Sequence, residues 1–216
     1  MNTRFDSKSI ALLAIFSAMV ATLEVFPVIG ITDLKFFPGG TPFTLDWTGI
    51  PIVIVFAGLG MISSVISIAV MFVAIGYRNF PGAVFKGAAE MLTIVGLLLA
   101  RVIIGKKPLS KKASLALYLI LGATLRAVGM FFVNIPLLPI FYPLFYTTEL
   151  AIEASTILIP WNVLQAGINI VAGMFLYYLI PENLKVQAGF GQKRDRNAIE
   201  ELTKEEIEDA SESETE

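Results

Sequence analysis

Long apolar runs separated by short polar or proline-rich stretches dominate the first 180 positions of the chain. A run of about 20 apolar residues is the length that an α-helix needs to cross the hydrocarbon core of a membrane. The runs that approach or exceed this length cover residues 10–29, 50–77, 83–104, 113–134 and 157–180. Each predicts a membrane-spanning helix, and the fold class predicted from the pattern is an all-α integral membrane protein.

The second run allows two interpretations. It predicts either one long tilted helix, or a short helix, a turn around Gly58 and Gly60, and a second helix through residues 61–76. Basic residues decide between five and six crossings, because lysine and arginine are enriched in cytoplasmic loops. Six crossings put the N-terminus, the lysine-rich linker at 106–112 and the basic start of the tail on one face. We therefore predict six transmembrane helices with both termini in the cytoplasm.

The stretches between the runs define the predicted domain organisation. Residues 1–9 form a cytoplasmic N-terminus, residues 10–180 the membrane domain, and residues 181–216 an acidic cytoplasmic tail for which disorder is expected. The membrane domain includes an outer loop at 30–48 that is too rich in proline and glycine for a helix. Residues 135–155 are apolar but broken by prolines, so we expect them to lie over the bundle or at the interface. The first run resembles a secretory signal peptide, but its length favours a helix.

Composition agrees with a membrane location and narrows the chemistry. The chain is 56% hydrophobic and 16% charged, with no cysteine and no histidine. Thiol and imidazole chemistry, including Ser-His hydrolysis, is therefore excluded. The chain also has no Gly-rich phosphate loop of the G-x-x-x-x-G-K-[ST] type, so it cannot hydrolyse ATP by that mechanism. A membrane enzyme is disfavoured, while a transport protein and a non-transport scaffold that binds partners through its acidic tail stay open.

Four ionisable side chains lie inside the predicted helices: Glu24, Lys86, Glu90 and Arg126. Each costs roughly 2.5 to 3.5 kcal/mol in hydrocarbon, so such groups usually face a cavity or a partner. Glu24 and Lys86 lie near helix ends, where we expect them to snorkel to lipid headgroups. Glu90 and Arg126 lie deeper, and they either pair with each other or contact a bound ligand.

Polar residues recur on one face of the last predicted helix. Asn162, Gln165 and Asn169 have the spacing i, i+3 and i+7, with Trp161 beside them. Three amides next to a tryptophan suit a pocket for a flat polar heterocycle. Amide contacts between helices are the alternative.

Small residues form a stripe on the first predicted helix. Ala11, Ala14, Ala18 and Ala21 lie at helical spacing and allow close approach of another helix. That helix belongs either to the same bundle or to a partner.

Two further strings are Leu-Asp-Trp-Thr-Gly-Ile-Pro at 45–51 and Ile-Pro-Trp-Asn-Val-Leu-Gln at 159–165. Together with the segments above, they resemble the riboflavin-type substrate-binding (S) component of energy-coupling-factor (ECF) transporters. The string Leu-Asp-Trp-Thr-Gly-Ile-Pro at 45–51 is similar to the family's Leu-Asp-aromatic-Ser-Asp-hydrophobic-Pro loop. The string Ile-Pro-Trp-Asn-Val-Leu-Gln at 159–165 is similar to its Leu-Pro-Phe-Asn-Leu-hydrophobic-Lys entry to the sixth helix. Asn134 stands where the family tends to carry an asparagine, and residues 14–18 match its Ala-x-x-x-Ala docking motif. The resemblance covers roughly residues 10–180.

The resemblance implies a function, a ligand and partners. Members capture a vitamin outside the cell and carry it across the cytoplasmic membrane, so riboflavin is the expected ligand and the chain itself is no enzyme and holds no cofactor. The implied partners are a transmembrane coupling subunit, docked through Ala14 and Ala18, and two ATPase subunits. Gly49 departs from the family's second loop acid, and Gln165 from its helix 6 lysine. FMN, another vitamin, a cofactor precursor or a nucleobase-like compound therefore stays open as the ligand.

The substrate site implied by the resemblance combines loop and helix residues. Asp46 and its loop neighbours would gate the site, helix amides would hydrogen-bond the ligand, and a tryptophan would stack on its rings. The candidate substrate-binding residues are Thr44, Asp46, Trp47, Glu90, Asn134, Trp161, Asn162 and Gln165.

Overall fold

The computed structural model describes residues 7–28, 30–106, 109–187 and 190. Helices dominate these ranges, and one two-stranded hairpin follows the first helix. The elements are α1 (Ser7–Val25), β1 (Asp33–Phe36), β2 (Phe43–Asp46), α2 (Gly49–Leu59), α3 (Met61–Gly76), α4 (Phe80–Lys106), α5 (Lys111–Phe141), α6 (Thr148–Leu179) and α7 (Glu182–Gln187). A short 3-10 turn, Pro38–Gly40, lies between the two strands.

Four helices are long and apolar enough to cross a membrane, namely α1, α4, α5 and α6. The shorter apolar helices α2 and α3 have 11 and 16 residues. At 1.5 Å per residue they extend about 16 and 24 Å, which is less than a hydrocarbon core of about 30 Å. A mainly helical fold with four helices of membrane length is confirmed, and these helices indicate a membrane protein. The hairpin of β1 and β2, within the loop predicted at 30–48, was not predicted.

The second apolar run forms two helices that meet at Gly60. Gly60 has a φ of 90°, in the left-handed region that favours glycine, and its N–H reaches the carbonyl oxygens of Val55 and Phe56 at 3.2 and 3.1 Å. The two-helix interpretation of this run is therefore confirmed. Gly58, which was expected in the turn, lies inside α2.

The expectation that residues 135–155 form a separate segment over the bundle is wrong. Helix α5 continues through Pro136 and Pro139, and only residues 142–147 connect it to α6. Each proline removes one backbone donor, but its fixed φ is helical. Leu138 packs against alanines of α6, so burial between the two helix ends offsets the lost hydrogen bonds.

The bundle has two ends that differ in character. We call the end that carries β1 and β2 the hairpin end, and the end where α4 gives way to Lys111 and Lys112 of α5 the basic end. Helix α2 is almost entirely buried between α1, α3 and α6. Because it is short, its first residue, Gly49, lies inside the bundle and its last turn lies towards the basic end, beside Arg101 of α4.

The predicted boundary of the tail at residue 181 is too early. Helix α7 follows at once, and Phe190 is buried against the bundle, with its ring centroid 6.1 Å from that of Phe16 and 6.0 Å from that of Tyr177. Aromatic burial explains why these residues pack on the bundle. The acidic run at 200–216 lies outside the described residues, as do the first six residues.

Candidate ligand-binding site

The hairpin folds back onto α6. Its strands are antiparallel with Phe36 opposite Phe43, and the turn between them contains Gly39 and Gly40 at φ values of 58° and 80°. Only glycine adopts such values without strain. Trp161 of α6 packs on both phenylalanines, with ring centroids 5.0 and 5.9 Å apart. The hairpin is thus seated on an aromatic contact.

The side chain of Gln165, in α6, hydrogen-bonds to the backbone at the end of β2. The Asp46 N–H donates to Gln165 Oε1 at 3.1 Å, and Gln165 Nε2 donates to the Asp46 carbonyl oxygen at 2.6 Å. Nε2 also donates to Asn169 Oδ1 at 3.0 Å. Gln165 has no exposed surface, so this amide satisfies a strand edge that would otherwise be buried without partners.

The Asp46 side chain connects the hairpin to two helices. Its Oδ1 accepts hydrogen bonds from the Thr48 N–H at 3.0 Å and from the Thr48 hydroxyl, and its Oδ2 lies 2.8 Å from Lys86 Nζ. Lys86 also pairs with Glu24 of α1. The expectation that Glu24 and Lys86 snorkel to headgroups is therefore wrong, because each finds an opposite charge inside the protein. Their side chains are only 12% and 18% exposed.

Burial and charge act in opposite directions on Asp46. Burial alone would raise the pKa of its carboxyl group, but the Lys86 ammonium and the two Thr48 donors outweigh burial, so the pKa of Asp46 lies below its ordinary value. The carboxylate is ionised at neutral pH. The ion pair with Lys86 is therefore intact under physiological conditions.

A second set of polar side chains lies deeper in the bundle. Arg126 donates from Nη1 to Glu90 Oε1 at 2.6 Å and to Thr93 Oγ1 at 3.3 Å, and from Nε to Asn162 Oδ1 at 3.4 Å. Asn169 Nδ2 donates to the same Glu90 oxygen at 3.2 Å. We call these five residues, which are all buried, the polar cluster. Glu90 and Arg126 are thus an ion pair, one of the two roles that the sequence left open.

Gly49 begins α2 directly beside the polar cluster. A Cβ at this position would lie 1.8 Å from Asn169 Nδ2 and 2.9 Å from Glu90 Oε2. The amide and the carboxylate therefore occupy the space that a side chain would need. This contact explains why position 49 holds a glycine, because Glu90 brings a carboxylate into that space from α4.

Two buried side-chain oxygens lack a hydrogen-bond partner among the described residues, Asp33 Oδ1 and Glu90 Oε2. A buried polar atom without a partner costs about 1 to 3 kcal/mol, and more when it is charged. Asp33 lies on β1 opposite Asp46, in the hairpin itself. Glu90 Oε2 is the free acceptor of the polar cluster.

Four of the candidate substrate residues are brought together in one hydrogen-bonded region. Asp46 and Gln165 form its hairpin side, and Glu90 and Asn162 its deep side, with Asn169 as the link between Gln165 and Glu90. Their roles in binding a ligand stay predictions.

The other four candidates lie around this region. Asn134 is buried on the same face of α5 as the cluster's arginine, two helical turns towards the hairpin end. Trp47 donates from Nε1 to the carbonyl oxygen of Ile31, and Trp161 packs on the hairpin. Thr44 has an exposed side chain on β2, which separates it from the polar cluster.

Sequence reasoning assigned no site role to Lys86, Thr48 or Thr93, although the sequence carries signals for all three. Lys86 and Thr93 lie at i−4 and i+3 from Glu90 and therefore share its helix face. An aspartate two residues before a threonine, as in Asp46 and Thr48, is typical of a turn in which the side chain accepts the backbone N–H.

The small-residue stripe of α1 faces outwards. Ala11, Ala14 and Ala18 are exposed, whereas Leu13 and Val20 on the opposite face are buried. The alternative that this stripe packs inside the bundle is therefore wrong for these three alanines. The exposed face is open to lipid or to another membrane helix.

An open groove with a volume of about 790 Å³ lies outside the polar cluster, between α5 and α6. Its walls are apolar and include Ala123, Val163, Gly167 and Phe175, but no residue of the polar cluster. Moving the polar groups of a heterocycle into such walls without hydrogen-bond partners is costly. This groove is therefore a poor site for the polar ligand that the cluster suits.

No protein-family model matches the chain, and a search of curated proteins finds no significant match. Function is therefore inferred from the residues of the chain itself.

Proposed function

We propose that the chain is the S component of an ECF-type transporter, which captures a vitamin outside the cell for uptake across the cytoplasmic membrane. Riboflavin is the expected ligand. The observation that carries the proposal is a buried polar cluster inside an apolar bundle, closed by a hairpin that a few side-chain contacts hold in place. Ionisable groups at membrane depth usually mark a substrate path, because their burial is too costly to persist without a role.

A six-crossing topology fits this function. The four long helices and the shorter α2 and α3 would each cross or nearly cross the bilayer. Lys111 and Lys112 mark the basic end, which the positive-inside rule assigns to the cytoplasm together with both termini. The hairpin end then faces outwards, where a vitamin arrives.

The hairpin would act as the gate of the site. In the closed state, Asn169 lies against Gly49, so the space beside Glu90 is too small for a ring system. Entry therefore requires the hairpin to move away from α6. The contacts that resist this movement are the two Gln165 hydrogen bonds and the Lys86 ion pair with Asp46, each contributing about 1 to 3 kcal/mol. The helix amides would then exchange their mutual hydrogen bonds for bonds to the ligand.

Energy and docking would come from partner subunits. The chain has no phosphate loop for ATP, so hydrolysis would occur on two ATPase subunits. Ala14 and Ala18 on the exposed face of α1 would allow the coupling subunit to approach closely. The apolar surface of the bundle is compatible with reorientation in lipid.

Titration with riboflavin tests the proposal. We expect saturable quenching of flavin fluorescence by the detergent-purified protein, with a Kd below about 1 μM. Asn162→Ala removes an amide that contacts Arg126, and it should weaken binding about tenfold or more. The matched control Asn183→Ala changes an exposed asparagine at the basic end and should leave the Kd unchanged.

Two results would contradict parts of the proposal. No response to riboflavin would exclude it as the ligand. No uptake of any water-soluble vitamin by cells that co-express the chain with a coupling subunit and its ATPases would exclude the transport function.

A further inference from the structure

The free oxygen of Glu90 defines one contact that a ligand has to make. Glu90 is 1% exposed, and its Oε1 already accepts from Arg126 and Asn169. Oε2 has no partner among the described residues and lies beside the first turn of α2 at Gly49. A carboxylate oxygen accepts hydrogen bonds and donates none. A ligand that enters here satisfies it only by bringing an N–H or an O–H.

Arg126 already supplies the counter-charge of Glu90. Its Nη1 and Nε are directed at Glu90, Thr93 and Asn162 within the buried cluster. A phosphate that took the place of Glu90 at Arg126 Nη1 would leave a buried carboxylate without its counter-charge. Breaking a buried ion pair in this way is strongly unfavourable. The guanidinium therefore neutralises Glu90 rather than selecting an anionic ligand.

The ion-paired side chains of the region carry a net negative formal charge. The carboxylates of Glu24, Asp46 and Glu90 face the cations of Lys86 and Arg126, so three negative and two positive charges leave a formal charge of −1. The N-terminus of α2 carries about half a positive charge, which offsets only part of this difference. An anion that enters the site meets net repulsion in a region of low dielectric.

We infer that Glu90 is the specificity-determining residue of the site, and that the ligand is uncharged or singly cationic with an N–H or O–H donor for Oε2. Phosphorylated and carboxylate-bearing molecules are rejected by charge. This inference rests on the proposed function, because it names the class of substrate for the same site.

Riboflavin and FMN form a matched pair for the test, since they share the ring system and differ by a phosphate. We expect the wild-type chain to prefer riboflavin by on the order of 30-fold in Kd. This factor corresponds to the repulsion between one uncompensated unit charge and one negative charge of the phosphate about 8 Å away, at an effective dielectric constant of about 20. Equal affinity for the two flavins would overturn the inference.

Substitutions at Glu90 separate charge from shape. Glu90→Gln removes the charge with little change in volume, and should weaken riboflavin binding and reduce the preference over FMN to about threefold or less. Glu90→Asp keeps the charge and should keep the preference even if affinity falls. Glu153→Gln removes an exposed acid of α6 and should change neither the riboflavin affinity nor the preference over FMN. A full preference retained in Glu90→Gln would mean that the phosphate is excluded by shape, and would overturn the role of Glu90.

Failure of the inference can be told apart from failure of the proposed function. If neither flavin binds, the same assay is run with pyridoxine, thiamine, biotin and pantothenate. Binding of only the uncharged pyridoxine or the cationic thiamine supports the inference. Binding of the anions biotin or pantothenate keeps vitamin capture but overturns the inference. Binding of none removes the proposed function and the inference together.

Discussion

Two arginines of the bundle are held in opposite ways, one half-buried near the basic end and one fully buried deeper in the bundle. Arg101, at the basic end, donates to the carbonyl oxygens of Phe56 and Ala57 at 3.2 and 2.7 Å and lies over the Phe56 ring at 4.8 Å. Phe190 covers the neighbouring backbone of α2. Arg126, towards the hairpin end, contacts only side chains from other helices, and those side chains lead through Asn169 and Gln165 to the hairpin.

The two sets of contacts differ in whether a ligand could replace them. Carbonyl groups at the C-terminus of α2 are fixed parts of the backbone, and a cation there stabilises the helix end whatever the ligand state. Side-chain partners can exchange a protein contact for a ligand contact. The short helix α2 is thus anchored at the basic end and has its first residue, Gly49, in the region that the proposed gate would open. This contrast predicts that stability and ligand binding can be changed separately.

The largest expected effect is a loss of stability when the ion pair of Glu90 and Arg126 is broken. Arg126→Leu leaves Glu90 buried without its counter-charge and should destabilise the protein by about 3 to 5 kcal/mol, seen as a large fall in Tm in detergent. The double variant Arg126→Leu with Glu90→Leu removes both charges and should recover most of that stability while ligand binding stays lost. A double variant as unstable as the single one would mean that the pair matters for packing rather than charge.

The next largest expected effect is a loss of stability from substitutions at the basic end. These substitutions should leave ligand binding unchanged. A Cβ on Gly58 would lie 2.0 Å from a ring carbon of Phe190, so Gly58→Ala should expel that ring and cost about 2 kcal/mol of stability. Phe190→Ala should cost about the same. The double variant should be no worse than either single one, because the same contact is lost.

Gly105→Ala is the matched control for this pair, since a Cβ there meets no atom within 4 Å. It should not lower the Tm. A weaker riboflavin affinity in Gly58→Ala would contradict the separation of the two ends.

A smaller effect is expected from loosening the hairpin. Lys86→Gln removes the cation that holds Asp46, and the hairpin should open about tenfold more often, which corresponds to roughly 1.4 kcal/mol. The chain has no cysteine, so Leu45→Cys, at a position that is 5% exposed, gives a single reporter whose labelling rate follows opening. Lys112→Gln, at an exposed lysine of the basic end, should leave that rate unchanged. Equal labelling rates in Lys86→Gln and the parent would exclude Lys86 as a gate contact.

The smallest expected effect is a change in hairpin closure with pH. Because the pKa of Asp46 is lowered in the folded protein, its contribution to stability is present above the ordinary aspartate pKa of about 3.9 and is lost as the pH falls through the lowered value. The contribution of Asp46 to hairpin closure should therefore be lost only below about pH 4, measured by the intrinsic tryptophan fluorescence of the protein. Asp46→Asn should remove the acid step, and an unchanged step in that variant would exclude Asp46 as its source.

Much of the fold could be predicted from the chain alone, because hydrophobic length and helical spacing are local properties. Residues 83–104 lie within α4, the run predicted at 157–180 lies within α6 except for its last residue, and the break at Gly60 follows from the conformational freedom of glycine. The end of α5 could not be predicted in this way. The prolines at 136 and 139 argue locally for a break, and only packing on α6 overrides them.

The candidate site was predictable only in part, for the same reason. Asn162, Gln165 and Asn169 share a face by spacing alone. The pairing of Lys86 with Asp46 depends on how the hairpin enters the bundle, which no local pattern encodes. The steric clash that excludes a side chain at position 49 likewise becomes apparent only when α2 and α6 are packed together.

Tethering the hairpin to α6 tests most directly whether it gates the polar cluster. A Cβ on Gly39 would lie 3.4 and 3.7 Å from the two γ carbons of Ile157, so cysteines at these two positions are close enough for a disulfide, and neither residue belongs to the candidate site. The expected result is that the oxidised Gly39→Cys and Ile157→Cys double variant no longer binds riboflavin, and that reduction restores binding. The reduced protein is the reference, because it carries the same backbone strain at position 39 without the tether. Undiminished binding by the oxidised protein would contradict the gate.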